Sequence, residues 1–256
     1  MLFDTHAHYD DARYDEDREE LLAHLKDAGV DKVVNISAGW KGLLDTLELI
    51  EAYPWIYGTV GIHPCDIADL NDDRLLKMQE YCRKDKIVAV GEIGLDYYWE
   101  KDPEVRQQQK DAFVRQLDLA IEAGLPVVIH SRDAARDTFD IMKEKHAGTT
   151  GGVIRCYSGS PGMAAEYVKM GYYLGIGGVV TFKNAKTLKR VVETIPLEHL
   201  VLETDAPYLS PEPYRGKRNS SAYLLYVAEE IARLKGISVQ EVEEITYYNA
   251  MQLYGL

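Results

Sequence analysis

With 256 residues, of which 46% are hydrophobic and 28% charged, the chain can build a large core, and a disordered or fibrous polymer is excluded. Its 29 Lys and Arg against 42 Asp and Glu leave a formal charge of −13, which excludes coating of nucleic acid or anionic membrane by bulk charge but leaves open phosphate chemistry at a small site. Three widely spaced cysteines, Cys65, Cys82 and Cys156, form no C-x-x-C pair, so neither a disulfide framework nor a cysteine-rich zinc site is indicated.

Short β-branched runs recur along the chain, each followed by a longer charged segment with helical spacing. In order, the predicted strands are Leu2 to His8, Lys32 to Ala38, Ile56 to His63, Ile87 to Gly94, Pro126 to His130, Gly152 to Tyr157, Tyr172 to Gly178 and Leu200 to Asp205. Between them, Asp15 to Ala28 carries Leu21, Leu22 and Leu25 at helical spacing, and Glu104 to Ala123 carries Val105, Phe113, Leu117 and Ala120. Each such face requires a sheet to bury it. The joints Ala28-Gly29-Val30-Asp31 and Ala123-Gly124-Leu125-Pro126 place glycine where a helix C-cap needs positive φ. Ser238 to Leu256 reads as a terminal helical addition.

About eight strand–helix units is the number that closes a parallel barrel, so a single-domain (β/α)8 TIM barrel over residues 1–256 is predicted, with a doubly wound open sheet as the competing arrangement. Gly175-Ile176-Gly177-Gly178 precedes Val179-Val180-Thr181-Phe182 rather than a helix start, which speaks against dinucleotide binding. There is no basic-then-apolar leader, and no apolar run approaches the roughly 20 residues of a membrane helix. A cytoplasmic protein with no membrane association and no obligate protein partner is expected.

His6 and His8 stand two apart in the first predicted strand, where i and i+2 side chains share a face and both imidazoles can address one ion. The competing reading is a pair of histidines meeting in a polar barrel mouth. Asp4, one step lower on that face, is a candidate orienting carboxylate or buried hydrogen-bond partner. Glu92, His130 and Asp205 each end an apolar run, where an unpaired polar group is costly. A barrel brings such strand ends to one rim, and nitrogen and carboxylate donors without thiolate suit Zn²⁺, Mn²⁺ or Fe²⁺. A bridging Glu92 can hold two ions about 3.5–4 Å apart. His63, ending Gly61-Ile62-His63-Pro64, is assigned to substrate contact or proton transfer, against a plain loop histidine held by Pro64. His24, His146 and His199 lie in charged segments without ligand neighbours.

The segments Phe3-Asp4-Thr5-His6-Ala7-His8, Gly61-Ile62-His63-Pro64, Gly91-Glu92-Ile93-Gly94-Leu95-Asp96-Tyr97, Pro126-Val127-Val128-Ile129-His130-Ser131-Arg132, Glu203-Thr204-Asp205-Ala206-Pro207 and Arg215-Gly216-Lys217-Arg218-Asn219 resemble the TatD family of metal-dependent deoxyribonucleases in order and spacing over nearly the whole chain. The resemblance implies a TIM-barrel metallohydrolase of the amidohydrolase type. It implies His6, His8, Glu92, His130 and Asp205 as ligands of one or two divalent ions (Zn, Mn, Mg, Co or Fe), with Glu92 bridging and Asp205 helping to activate water. One segment departs from the family pattern. Where the family usually has His-Cys-Phe-Ser-Gly with a ligand histidine, this chain reads Arg155-Cys156-Tyr157-Ser158-Gly159. Arginine stays protonated and offers no lone pair, so the second metal position loses a ligand. A mononuclear site or a weak second ion is expected. Arg155 either clamps a phosphate or turns to pair with a carboxylate.

The function expected is metal-assisted phosphodiester hydrolysis of DNA or oligonucleotides, with Asp205 and Glu92 catalytic and single strands or ends preferred. Arg155, Arg132, His63, Lys217 and Arg218 are the candidates for holding the phosphate, the competing reading of Lys217 and Arg218 being an exposed loop or internal salt bridge. Tyr97, Tyr98, Trp99 and Tyr157 are candidates for stacking on bases. Two alternatives are an amidohydrolase acting on a non-nucleic-acid ester or amide, and a non-catalytic phosphate- or nucleic-acid-binding homologue.

Overall fold

The structure is a computed structural model describing residues 1–145 and 151–256, so His146 lies outside the described residues. Strands and helices alternate as β1 (Leu2–Ala7), α1 (Arg18–Leu25), β2 (Val30–Asn35), α2 (Trp40–Ala52), β3 (Ile56–Val60), α3 (Asp72–Tyr81), β4 (Ile87–Asp96), α4 (Pro103–Ala123), β5 (Val127–Arg132), α5 (Ala135–Lys145), β6 (Gly152–Ile154), α6 (Pro161–Lys169), β7 (Tyr172–Ile176), α7 (Lys186–Thr194), β8 (Leu200–Leu202), α8 (Leu224–Lys235) and α9 (Val239–Tyr254). The strands keep chain order from β1 to β8, which is the (β/α)8 order of a TIM barrel. A doubly wound sheet reverses its order at a switch point, and none occurs among the described residues.

Two compact units make up the chain. The first comprises Met1–Asn35, Cys156–Lys169 and Tyr173–Leu256. In it β1 pairs with β2 in parallel, Leu2 opposite Val30 and Asp4 opposite Val33, and β7 pairs with β8, Leu174 opposite Leu200. Every residue of β1 is buried, as a strand covered on both faces requires. Helix α9 covers this region: the Tyr254 hydroxyl donates to the Thr5 carbonyl at 2.9 Å, and Asn249 Nδ2 donates to the Leu197 and Leu200 carbonyls at 2.8 and 2.7 Å. Its N-terminus is capped by Ser238, whose hydroxyl accepts from Glu241 N, and it ends at Gly255 with φ 66°.

The second unit comprises Ile36–Arg155 and Met170–Tyr172. Here β3, β4, β5 and β6 pair successively in parallel. All ten residues of β4 are buried. Gly94 in β4 has φ +143°, and a Cβ there would meet the His130 carbonyl oxygen at 1.9 Å, so only glycine lets β4 lie this close to β5. From α4, Gln116 accepts from Ile62 N at 2.7 Å and donates to the Ile62 carbonyl at 3.0 Å, which fixes the backbone just before His63.

Several boundaries differ from those predicted. β6 and β8 stop at Ile154 and Leu202, short of Tyr157 and Asp205. Cys156 and Asp205 sit at φ 44° and 59°, in the left-handed region that a strand cannot accommodate. β4 instead continues to Asp96, and α1 begins only at Arg18, because Asp11 caps a short 3₁₀ turn over Ala12–Tyr14 first. Among the described residues, no helix is long and apolar enough to cross a membrane.

Candidate metal centre

In the first unit, the end of β1 is tied to the segment after β8 by main-chain hydrogen bonds. Asp205 N donates to the His6 carbonyl at 2.9 Å, and His8 N donates to the Ala206 carbonyl at 2.7 Å. This ladder sets His6 and His8 beside Asp205. The two Nε2 atoms are 3.2 Å apart, and each lies 3.5 Å from Asp205 Oδ1. A tetrahedral ion with bonds of about 2.0–2.1 Å needs donor atoms about 3.3–3.4 Å apart. The three donors fit that requirement, and their chemistry, two imidazoles and a carboxylate, suits a divalent ion of the zinc or manganese kind. The Asp205 backbone at φ 59° is a conformation that aspartate tolerates better than most residues, and it turns this carboxylate out of the strand path.

Behind the triad stands Asp4, fully buried. Its Oδ1 accepts from His6 N at 3.2 Å and Thr204 N at 3.0 Å, and its Oδ2 accepts from the Thr204 and Ser221 hydroxyls at 2.5 Å each. Burial pushes the Asp4 carboxyl up to about 6 despite these four donors. Asp4 therefore braces the peptide segments that carry His6 and Asp205. Asn219 closes the same frame, donating to the Thr204 and Tyr208 carbonyls at 2.9 and 2.7 Å. The pattern of the chain pointed to Asp4, whereas the parts played by Thr204 and Ser221 needed contacts some 200 residues apart in sequence.

In the second unit, Glu92, His130, His63 and Arg155 come together. Glu92 Oε1 faces His130 Nδ1 at 2.7 Å and His63 Nε2 at 3.8 Å, and it accepts from Arg155 Nε at 2.5 Å. His130 Nε2 faces Asp96 Oδ2 at 3.0 Å. Burial alone would disfavour a charged His130, yet its contacts with Asp96 and Glu92 outweigh burial and shift its pKa upward. His63 goes the other way, pushed down to about 3 by burial. Asp96 was not among the predicted site residues. Its signal was present, four positions after Glu92 and so on the same strand face. Asp96 Oδ1 also accepts from Tyr98 N and Trp99 N at 3.0 Å each, fixing the loop after β4.

The remaining predicted residues separate. Arg132, opposite Asp96 in the β4–β5 register, lies 3.9 Å over the Tyr98 ring and 5.6 Å from the centre of the Trp99 ring. Tyr98 and Trp99 are 45% and 68% exposed, whereas Tyr97 and Tyr157 are buried. Arg218 is held in an ion pair with both Asp17 oxygens at 2.8 and 2.5 Å, donates to the Arg13 carbonyl and covers Tyr14. Lys217 lies over Tyr214 at 5.7 Å. His24 is exposed, and its Nδ1 lies 2.6 Å from the Glu20 carbonyl. His199 ends a short 3₁₀ turn.

A family profile described as TatD related DNase matches residues 3–255. An uncharacterized metal-dependent hydrolase of Bacillus subtilis, YabD, is 44% identical over 254 residues, covering 99% of both chains. YcfH of Escherichia coli K12, likewise an uncharacterized metal-dependent hydrolase, is 34% identical over 99% of this chain and 96% of its own. The crystal structure of YJJV, a TatD homologue from Escherichia coli K12, superposes with a TM-score of 0.93 at 31% identity, covering 100% of this chain and 98% of that one.

Proposed function

Because this chain belongs to the TatD-related DNase family and is a metal-dependent hydrolase, we propose that its reaction is hydrolysis of phosphodiester bonds in DNA, with single strands and ends preferred. The observation that carries the proposal is the triangle of His6, His8 and Asp205 donor atoms, spaced for one ion. When bound, a divalent ion supplies a Lewis acid that polarises the phosphoryl oxygen and lowers the pKa of water. His6 and His8 are the neutral nitrogen ligands, and Asp205 is the carboxylate that takes a proton from the attacking water. Glu92 and His130 would hold a second ion only at a position for which Arg155 competes.

Arg132, with Tyr98 and Trp99 beside it, offers a cation next to exposed aromatic faces, a combination that suits the phosphate and unpaired base of a strand end. His63 and Lys217 are the further candidates for substrate contact. Arg218, engaged by Asp17, supports the loop that carries Lys217. The three cysteines are thiols, which fits a reducing, cytoplasmic setting.

The test is a substrate panel with Mn²⁺, Mg²⁺, Co²⁺ or Zn²⁺: linear single-stranded DNA, matched circular duplex, carboxyl esters and amides. Metal-dependent cleavage of the linear strand, abolished by Asp205→Asn, is the expected result. Turnover of amides alone makes the chain an amidohydrolase, and binding of DNA without turnover under any ion makes it a binding protein. Equal cleavage of circular duplex removes the preference for ends.

A further inference from the structure

We propose that Arg155 is a built-in cation that keeps a second divalent ion out of the Glu92, His130 and His63 group, so that the chain works with the single ion of His6, His8 and Asp205. This rests on the metal-dependent reading above and adds its stoichiometry. The two donor groups differ in spacing. In the first unit the donor atoms stand 3.2, 3.5 and 3.5 Å apart, as ligands around an ion do. In the second unit Glu92 Oε1 and His130 Nδ1 are only 2.7 Å apart. That is a hydrogen-bond length, shorter than the roughly 3.0 Å edge of an octahedral site with bonds of about 2.1 Å, and shorter still than a tetrahedral edge.

The cause lies in how Arg155 is held. It directly follows β6, and its N–H donates to the Ile129 carbonyl at 3.1 Å, next to His130 in the chain. From there the side chain brings Nε to 2.5 Å from Glu92 Oε1, with the arginine side chain 13% and the glutamate 1% exposed. A carboxylate this deeply buried requires a positive neighbour. The guanidinium supplies one that is covalently attached, cannot be deprotonated and donates along a fixed direction. An ion at the same oxygen would displace that N–H, break the 2.7 Å contact to His130 and sit against a buried like charge. Arginine offers no lone pair, so it cannot join the coordination it obstructs.

Metal counting on the 256-residue chain tests this, by dialysis against MnCl₂ and separately CoCl₂, with bound metal read by mass spectrometry. The expected counts are one ion per chain for the unaltered protein, two for Arg155→His, none for His8→Ala and one for Glu92→Gln. Two ions in the unaltered protein, loss of the ion in Glu92→Gln, or a count of one in a natively folded Arg155→His would each overturn the proposal. If Arg155→His does not keep the native circular dichroism, Arg155→Gln replaces it, with a count above one expected and a count of one overturning. No ion in the unaltered protein would instead sink the metal-hydrolase reading of this site.

Discussion

Replacing Asp4 by alanine removes the acceptor for four donors at once, two peptide N–H groups and two hydroxyls, in a place without solvent access. Each buried donor left unsatisfied costs about 1–3 kcal/mol, and because the hydroxyls of Thr204 and Ser221 can reorient, the total is expected at about 3–5 kcal/mol rather than the full sum. With an unfolding entropy of about 2 cal/mol/K per residue, a chain of this length loses about 2 °C per kcal/mol, so Tm falls by roughly 6–10 °C in the metal-free protein. Asp4→Asn keeps an acceptor for the two peptide N–H groups and places an amide where hydroxyls can accept, so its cost is about 1 kcal/mol. The same oxygen, Oδ1, holds both His6 N and Thr204 N, so alanine also loosens the mutual placement of His6 and Asp205. Losing such a brace weakens metal affinity by about 10- to 100-fold. Calorimetric melts in EDTA and titration with Mn²⁺ read the two effects separately. An Asp4→Ala protein that melts within 2 °C of the unaltered chain, or that binds Mn²⁺ equally well, would refute the bracing role.

Gly94→Ala puts a Cβ 1.9 Å from the His130 carbonyl at a φ that only glycine favours, and loss of soluble, folded protein on expression is the expected outcome. Glu230 is paired with Arg233 at 2.8 Å through both oxygens and with Lys189 at 2.8 Å, and these partners lower its pKa from 4.5 to about 2. Its pKa is depressed on folding, so the stabilisation is present above pH about 4.5 and is lost as pH falls toward about 2. After allowance for solvent screening, Glu230→Gln is expected to cost about 1–2 kcal/mol at pH 7, with the difference shrinking in denaturant melts below pH about 4.5 and nearly gone at pH about 2. Trp99→Ala is expected to raise KM for a single-stranded oligonucleotide by about 5- to 150-fold with kcat little changed, the range given by loss of one stacked base. A change confined to kcat would place Trp99 away from the substrate.

The alternation of strands and helices was legible because apolar runs and helical faces each obey a local period, and the glycine joints at Gly29 and Gly124 do take positive φ of 82° and 67°. What was not legible were the strand ends, where local period stops governing the backbone. Asp205 and Cys156 leave the extended region under the pull of contacts made far along the chain: Asp205 N to His6, and Cys156 N to Glu203 Oε1 at 2.6 Å. The histidine pair was visible in the spacing of β1 alone, and its meeting with Asp205 depends on that long-range ladder. Arg155 shows the limit most clearly. Its inability to bind metal follows from its chemistry, but its pairing with Glu92 is a matter of three-dimensional neighbours. Lys217 and Arg218 look alike in the sequence, yet Asp17, about 200 residues away, commits only Arg218.

The hydrogen bonds that join His6 and His8 to Asp205 and Ala206 run between peptide groups, which every residue type but proline can supply in full. The spacing of the ligand positions is thus a property of the main chain, and the identity of each ligand is a separate variable. Exchange of one imidazole for a carboxylate at position 8 leaves the positions where they are while moving the donor set toward harder ions such as Mg²⁺ and Mn²⁺. In such a framework metal preference can drift during evolution, or be redirected by design, one side chain at a time and without a new fold.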